Sequence, residues 1–195
     1  MVSRRCAARS ALDFSLCAGF LFGLAATQVA CSSDVSQQQV ATLELRSASF
    51  SGDTIPKAYS SCDGQRNVSP QLSWSMAPEG TQSFALVVID RDSPLGWNFV
   101  HWVLYDLPAD KRELPEAIAN QEQLPDGSRQ GRNGYDKTGY VGPCPPGHSP
   151  HRYVFTLFAL DTKLNLPRGA SKKQVIKAIK GHVLARGELI AKFQQ

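Results

Sequence analysis

The chain has 195 residues, 19% charged and 9% aromatic, with a formal net charge of +4. That is enough polypeptide for one domain with a substantial core, and the aromatic and charged fractions read as those of a soluble globular protein. Arg4, Arg5, Arg9 and Asp13 fall in a targeting segment, and without them the charge is +2, too small and scattered for a nucleic-acid-binding surface.

Residues 1–31 read as an export leader. Three arginines precede the apolar run Phe14–Ala26, which has the length of a signal peptide and is short for a membrane span. Ala30-Cys31-Ser32 matches a lipoprotein processing site, with Cys31 as the lipidated residue; ordinary secretion is the alternative. The expected location is the periplasm or an outer-membrane tether. Residues 32–42 are polar and glutamine-rich and read as a flexible tether, followed by one domain over 43–195. Once the leader and Cys31 are set aside, Cys62 and Cys144 remain. In an oxidising compartment they could be bridged or stand as two separate thiols.

Leu43–Phe50 alternates as a first strand, and Gln71–Trp74 as a short one. Phe84–Asp90 (FALVVID) is a continuous apolar run bounded by turns, the pattern of a central strand. His101–Leu107 (HWVLYDL) is a second, stopped by Pro108. Its alternation places His101, Val103, Tyr105 and Leu107 on one face, and Trp102, Leu104 and Asp106 on the other. Leu114–Gly134 is a long polar stretch without periodicity, read as a functional or mobile loop. Gly139–Pro150 is stiffened by four prolines and leads straight into Arg152–Leu160, an aromatic and β-branched strand. This loop can hold His148, His151, Arg152 and Tyr153 in fixed positions. Ser171 is an N-cap for a helix over Lys172–His182, whose lysines read as a solvated face, and Glu188–Phe193 reads as the last strand. Many strands, recurring turns and one late helix predict a mainly β, antiparallel sandwich.

Asp90, His101 and His151 fall at the ends of core strands, with Asp92 and Tyr153 close by in sequence. A carboxylate can fix the tautomer of one imidazole, and two imidazoles can bind a common anion, whose charge favours their protonated forms. Two His and two Asp could also ligate a metal, but their spacing matches no metal motif, and none is expected. Ser93 lacks the glycines of a nucleophile elbow. Phosphate-loop and dinucleotide glycine patterns are absent, so no cofactor is expected.

Asp90-Arg91-Asp92-Ser93-Pro94, His101-Trp102, Gly142-Pro143-Cys144-Pro145-Pro146 and His151-Arg152-Tyr153 resemble the signature blocks of the phosphatidylethanolamine-binding protein family. Asn67-Val68-Ser69-Pro70, Gly134-Tyr135, Gly139-Tyr140 and Gly181-His182-Val183-Leu184-Ala185 fit the same pattern, which spans residues 43–193. Cys62 and the Cys144 insertion resemble its bacterial, Raf-kinase-inhibitor-like branch. The resemblance implies a Greek-key β-sandwich with a small anion pocket lined by Asp90, Pro94, His101, Pro145, Pro146, His151 and Tyr153, with Asp92 and Trp102 in support. Arg91, where proline is common, and the loop from Pro146 to His151 depart from the eukaryotic pattern. The expected function is non-enzymatic binding of phosphate or a phosphorylated head group. The alternatives are inhibition of an extracytoplasmic protease through surface loops such as Leu114–Gly134, and a hydrolase using the same histidines.

Overall fold

The computed structural model describes residues 40–94 and 98–195. The leader, Cys31 and the tether up to residue 39 lie outside the described residues. The strands in chain order are β1 (Ala41–Thr42), β2 (Leu45–Arg46), β3 (Leu72–Trp74), β4 (Ser83–Asp90), β5 (Phe99–Pro108), β6 (Glu113–Leu114), β7 (Arg129–Gln130), β8 (His151–Leu160) and β9 (Val183–Phe193). One helix, α1 (Lys172–Ala178), precedes β9, and a single 3-10 turn covers Lys57–Tyr59.

The architecture is mainly β, as expected. A six-stranded sheet runs β1-β9-β8-β4-β5-β7 and a three-stranded sheet runs β2-β3-β6. The larger sheet is mixed rather than wholly antiparallel, because β1 pairs parallel to β9, Ala41 opposite Ala185 and Thr42 opposite Arg186. Ala41 and Thr42 are thus strand, not tether. The strand expected over Leu43–Phe50 is divided, because the chain changes sheets within it. The Leu43 N–H donates to the Arg186 carbonyl in the large sheet, whereas Leu45 pairs with Trp74 in the small one.

The main core fills the space between the sheets. Leu45, Leu72, Trp74 and Leu114 come from the small sheet; Phe84, Leu86, Val88, Trp102, Leu104, Phe155 and Leu157 come from the large one. A second cluster lies on the other face, where Val175 and Ile179 cover Ala85, Val103, Tyr105 and Leu160. Truncating a fully buried residue such as Phe155 or Leu86 to alanine costs about 2–5 kcal/mol in cores of this kind. Helix α1 starts at a capping box: the Ser171 hydroxyl accepts from the Gln174 N–H, and the Gln174 side chain accepts from the Ser171 N–H. It stops well short of His182, because Gly181 takes a left-handed conformation (φ +82°) that turns the chain into β9.

The alternation expected along β5 fails at two places, and both have one cause. Val88 pairs with Trp102 and Ile89 with Val100, so His101 is an extra residue between them. Phe84 pairs with Leu107 and Leu86 with Leu104, which inserts a second extra residue where Asp106 has φ +56°. Each β-bulge sets two residues of β5 against one of β4 and turns the following side chains over. Leu107 therefore joins Leu104 and Trp102 in the main core, not Val103 and Tyr105 beneath α1. His101 likewise sits on the Trp102 side, its ring against Tyr153.

Leu114–Gly134 is not a free loop. Gln130 is fully buried in β7; its amide donates to the carbonyls of Ala119 and Gln121 while its oxygen accepts from the Trp102 indole. The last strand begins at Val183 rather than Glu188, with Ala185, Gly187, Ala191 and Phe193 facing inward between exposed Arg186, Glu188 and Lys192. Among the described residues, no helix is long and apolar enough to cross a membrane.

Candidate functional site

Three adjacent strands end together. Across the sheet Phe99 of β5 lies opposite Asp90 of β4, and Asp90 lies opposite Tyr153 of β8. The bulge then adds the His101 ring, centred 5.0 Å from Tyr153 and 4.9 Å from Phe99. These four side chains form one wall of a cavity of about 280 Å³. The facing wall comes from the proline-rich segment: Gly142, Cys144, Pro145 and Pro146. Ser61, Ser93, Pro94 and Tyr135 complete the rim.

The proline-rich wall is held by the segment around residue 60. Cys62 is bonded to Cys144, which selects the bridged alternative. The Ser61 N–H donates to the Pro143 carbonyl, the Ser61 hydroxyl to the Gly142 carbonyl, and the Gly142 N–H to Asn67 Oδ1 at 2.8 Å. A side chain at Gly142 could not fit, since a Cβ there would meet the Tyr59 carbonyl at 2.2 Å.

The two imidazoles are held differently. His151 Nδ1–H donates to Asp90 Oδ2 at 2.8 Å, with both groups buried. The other Asp90 oxygen accepts the Asp92 N–H. His101 Nδ1 is 2.7 Å from the Val141 carbonyl, which can only accept, so that nitrogen carries the proton. Burial pushes the His101 imidazole down to about 4, against smaller upward effects of the Val141 carbonyl and the Asp90 charge. At neutral pH His101 is therefore uncharged, and its Nε2 offers a lone pair. Tyr153 completes the set: its hydroxyl is buried and has no hydrogen-bond partner among the described residues. Burial, and then the Asp90 charge, raise its pKa and keep the O–H intact.

Of the residues expected at the site, Asp90, Pro94, His101, Pro145, Pro146 and Tyr153 line the cavity. His151 is not among the lining residues and connects to them through Asp90. Asp92 is turned to Arg152, whose guanidinium hydrogen bonds hold its carboxyl at about 2 and which donates from Nη2 at 2.5 Å. Trp102 is fully buried in the core, with its indole committed to Gln130. His148 is exposed on the loop. Among the described residues, no three His, Cys, Asp or Glu side chains come together to hold a metal ion.

Ser61, Ser93, Phe99, Tyr135, Gly142 and Cys144 line the cavity without having been expected there from the sequence, Ser93 having been weighed only as a nucleophile. Gly142 and Cys144 stood inside the recognised proline block and Tyr135 inside a Gly-Tyr pair. Ser61 had no local signal, because only its contact with Pro143 brings it to the rim.

The sequence pattern of the family described as "PBP: Phosphatidylethanolamine-binding protein" matches residues 46–194. A UPF0098 protein of Aquifex aeolicus is 44% identical over 158 residues, covering 80% of this chain and 90% of that protein. The UPF0098 protein YbhB of Escherichia coli is 39% identical over 148 residues, covering 73% and 93%. Among solved structures, E. coli YbcL, described as a new member of the mammalian PEBP family, superposes with a TM-score of 0.72 at 34% identity, covering 80% of this chain and 99% of that one. A PEBP homologue from Chlamydia trachomatis gives 0.70 at 34% identity, covering 79% and 98%.

Proposed function

The chain belongs to the phosphatidylethanolamine-binding protein family, and from that premise we propose that its cavity binds phosphate or a phosphorylated head group without turning it over. The observation that carries this reading is the Tyr153 hydroxyl, buried at the cavity wall beside His101 with no hydrogen-bond partner among the described residues. A buried polar group left unpaired is costly, and an anionic oxygen would satisfy it. His101 Nε2 would take a second oxygen. A monoanionic ester can donate its own proton to that lone pair, or a dianion can bind as the imidazole protonates. Both complexes carry the same extra proton. Asp90 does not set a bare negative charge against the guest, because His151 Nδ1–H and the Asp92 N–H both donate to it. Pro94, Pro145 and Pro146 shape the wall. Export and a lipid anchor at Cys31 belong to the same proposal on sequence grounds, with the pocket working outside the cytoplasm.

Calorimetric titration with phosphoethanolamine between pH 5 and 8 tests the reading. Affinity should fall as pH rises, by about tenfold per unit above the ester's second pKa of about 6. Tyr153→Phe should weaken binding about tenfold, the loss of one hydrogen bond to a charged group, without destabilising the fold. Equal affinity of wild type and Tyr153→Phe would remove the anion from this wall.

A further inference from the structure

A second cavity of about 510 Å³ adjoins the first and shares Ser61 and Tyr135 with it. Its character is different. The first is walled by prolines and aromatic rings; the second is lined by three asparagines, Tyr135, Lys137, Thr138 and the wall around Tyr140. The asparagine amides are spent on building it. Asn133, itself buried, accepts the N–H groups of Tyr135 and Lys137 on its oxygen and donates to the Gly139 carbonyl. Asn120 accepts the Tyr140 N–H, and Asn67 accepts the Gly142 N–H. An Arg132–Asp136 ion pair closes the outside of the same loop.

The loop so fixed displays groups that do no evident structural work. Tyr135 is 62% exposed, large for an aromatic ring, yet its inner edge is seated on Phe99 at 5.1 Å, and Phe99 touches His101. Gly134 is glycine because a Cβ there would meet the Phe99 ring at 2.4 Å. Lys137 is exposed and Thr138 half-buried beside it. An aromatic plate, a hydroxyl and an ammonium on a rigid loop are the elements that recognise a polyhydroxylated ring: the plate takes its C–H face and the polar groups take its hydroxyls.

We infer that the polar cavity is a subsite for the alcohol part of the ligand, and that the full ligand is a phosphate ester of a polyhydroxylated alcohol, its phosphate at Tyr153 and His101 and its hydroxyls at Tyr135, Lys137 and Thr138. The inference rests on the anion reading above. That chemistry occurs both in soluble sugar phosphates and in inositol-type lipid head groups.

The test is calorimetry on the intact protein with three probes: inorganic phosphate, glucose 6-phosphate and glycerophosphoinositol 4-phosphate, whose 4-phosphate is a monoester like that of the sugar phosphate. At least one of the two esters should bind about tenfold or more tightly than phosphate. An advantage confined to glucose 6-phosphate points to a soluble ligand, one confined to glycerophosphoinositol 4-phosphate to a head group, and either supports the subsite. Lys137→Ala with Thr138→Val should abolish the advantage and leave phosphate affinity within about twofold. If phosphate binds but neither ester binds more tightly, or if the double variant keeps the advantage, the subsite is overturned and the anion site stands. If phosphate itself fails to bind, the anion reading falls and the inference with it.

Discussion

On one wall of the cavity Phe99, Asp90 and Tyr153 stand in a row on three hydrogen-bonded strands; on the other, Gly142, Cys144, Pro145 and Pro146 hang on a segment with no strand beneath it. The strand wall is positioned by ladders that the whole core stabilises. The loop wall is positioned by particular bonds: the Cys62–Cys144 bridge, Ser61 to Pro143 and Gly142, and Asn67 to Gly142. His101 joins the two, since the Val141 N–H donates to its carbonyl while its imidazole donates to the Val141 carbonyl. The contrast extends to the imidazoles. A carboxylate faces His151, whereas a neutral carbonyl faces His101, and burial then decides that His101 is uncharged. Nδ1 hydrogen bonds alone do not make two histidines equivalent, since one acceptor carries a charge and the other does not.

The largest effect should come from the loop wall. Replacing Cys62 and Cys144 together by alanine opens a closure spanning a sequence separation of 82 residues. Chain entropy puts the loss of unfolding free energy at about 4.5 kcal/mol, readable in urea denaturation. An unchanged midpoint would show that the side-chain bonds suffice without the bridge. Next comes the joint. The folded pKa of His101, about 4, lies below its unfolded value, so protonation favours the unfolded chain. Its contribution is complete above pH ~6.5 and is lost as pH falls toward ~4, by about 3 kcal/mol in all. His101→Gln should flatten that part of the stability–pH profile, and a slope identical to wild type would assign the titration elsewhere. On the strand wall, Asp90→Ala leaves the His151 and Asp92 donors unpaired and should cost about 2–3 kcal/mol. The smallest effect is expected at Arg152→Ala. Its half-exposed pair with Asp92 is screened by water, and a clear drop in the thermal or urea midpoint would contradict that.

The strand wall was far more legible in the sequence than the loop wall. Phe84–Asp90, His101–Leu107 and Arg152–Leu160 announce themselves as buried strands, and Asp90, His101 and Tyr153 stand at their ends. What failed was the facing of His101, because a bulge is a relation between two strands and leaves no mark on the alternation of one. Asp106 hid its bulge in the same way: it takes a left-handed conformation and accepts the Leu164 N–H, neither of which a run of apolar residues reveals. The start of β9 was missed because Arg186 and Gly187 interrupt an apolar count, although Gly187 is needed where a Cβ would meet the Leu43 carbonyl at 2.7 Å. Gln130 read as loop polarity and proved to be a buried tie, since its three partners are distant carbonyls and an indole. The second cavity was invisible beforehand, because Asn67 and Asn120 act on backbone groups that only the folded chain brings near.

The parallel pairing of β1 with β9 has a practical result. Thr42 follows Ala41 in the direction in which β9 runs toward Phe193, the end where His151 begins. The described chain therefore enters at the end of the sheet farthest from the opening, about 27 Å of strand away along β8. A dye, bead or chip surface coupled at Val40 itself would leave the mouth facing the bulk solution, where arriving molecules can be counted.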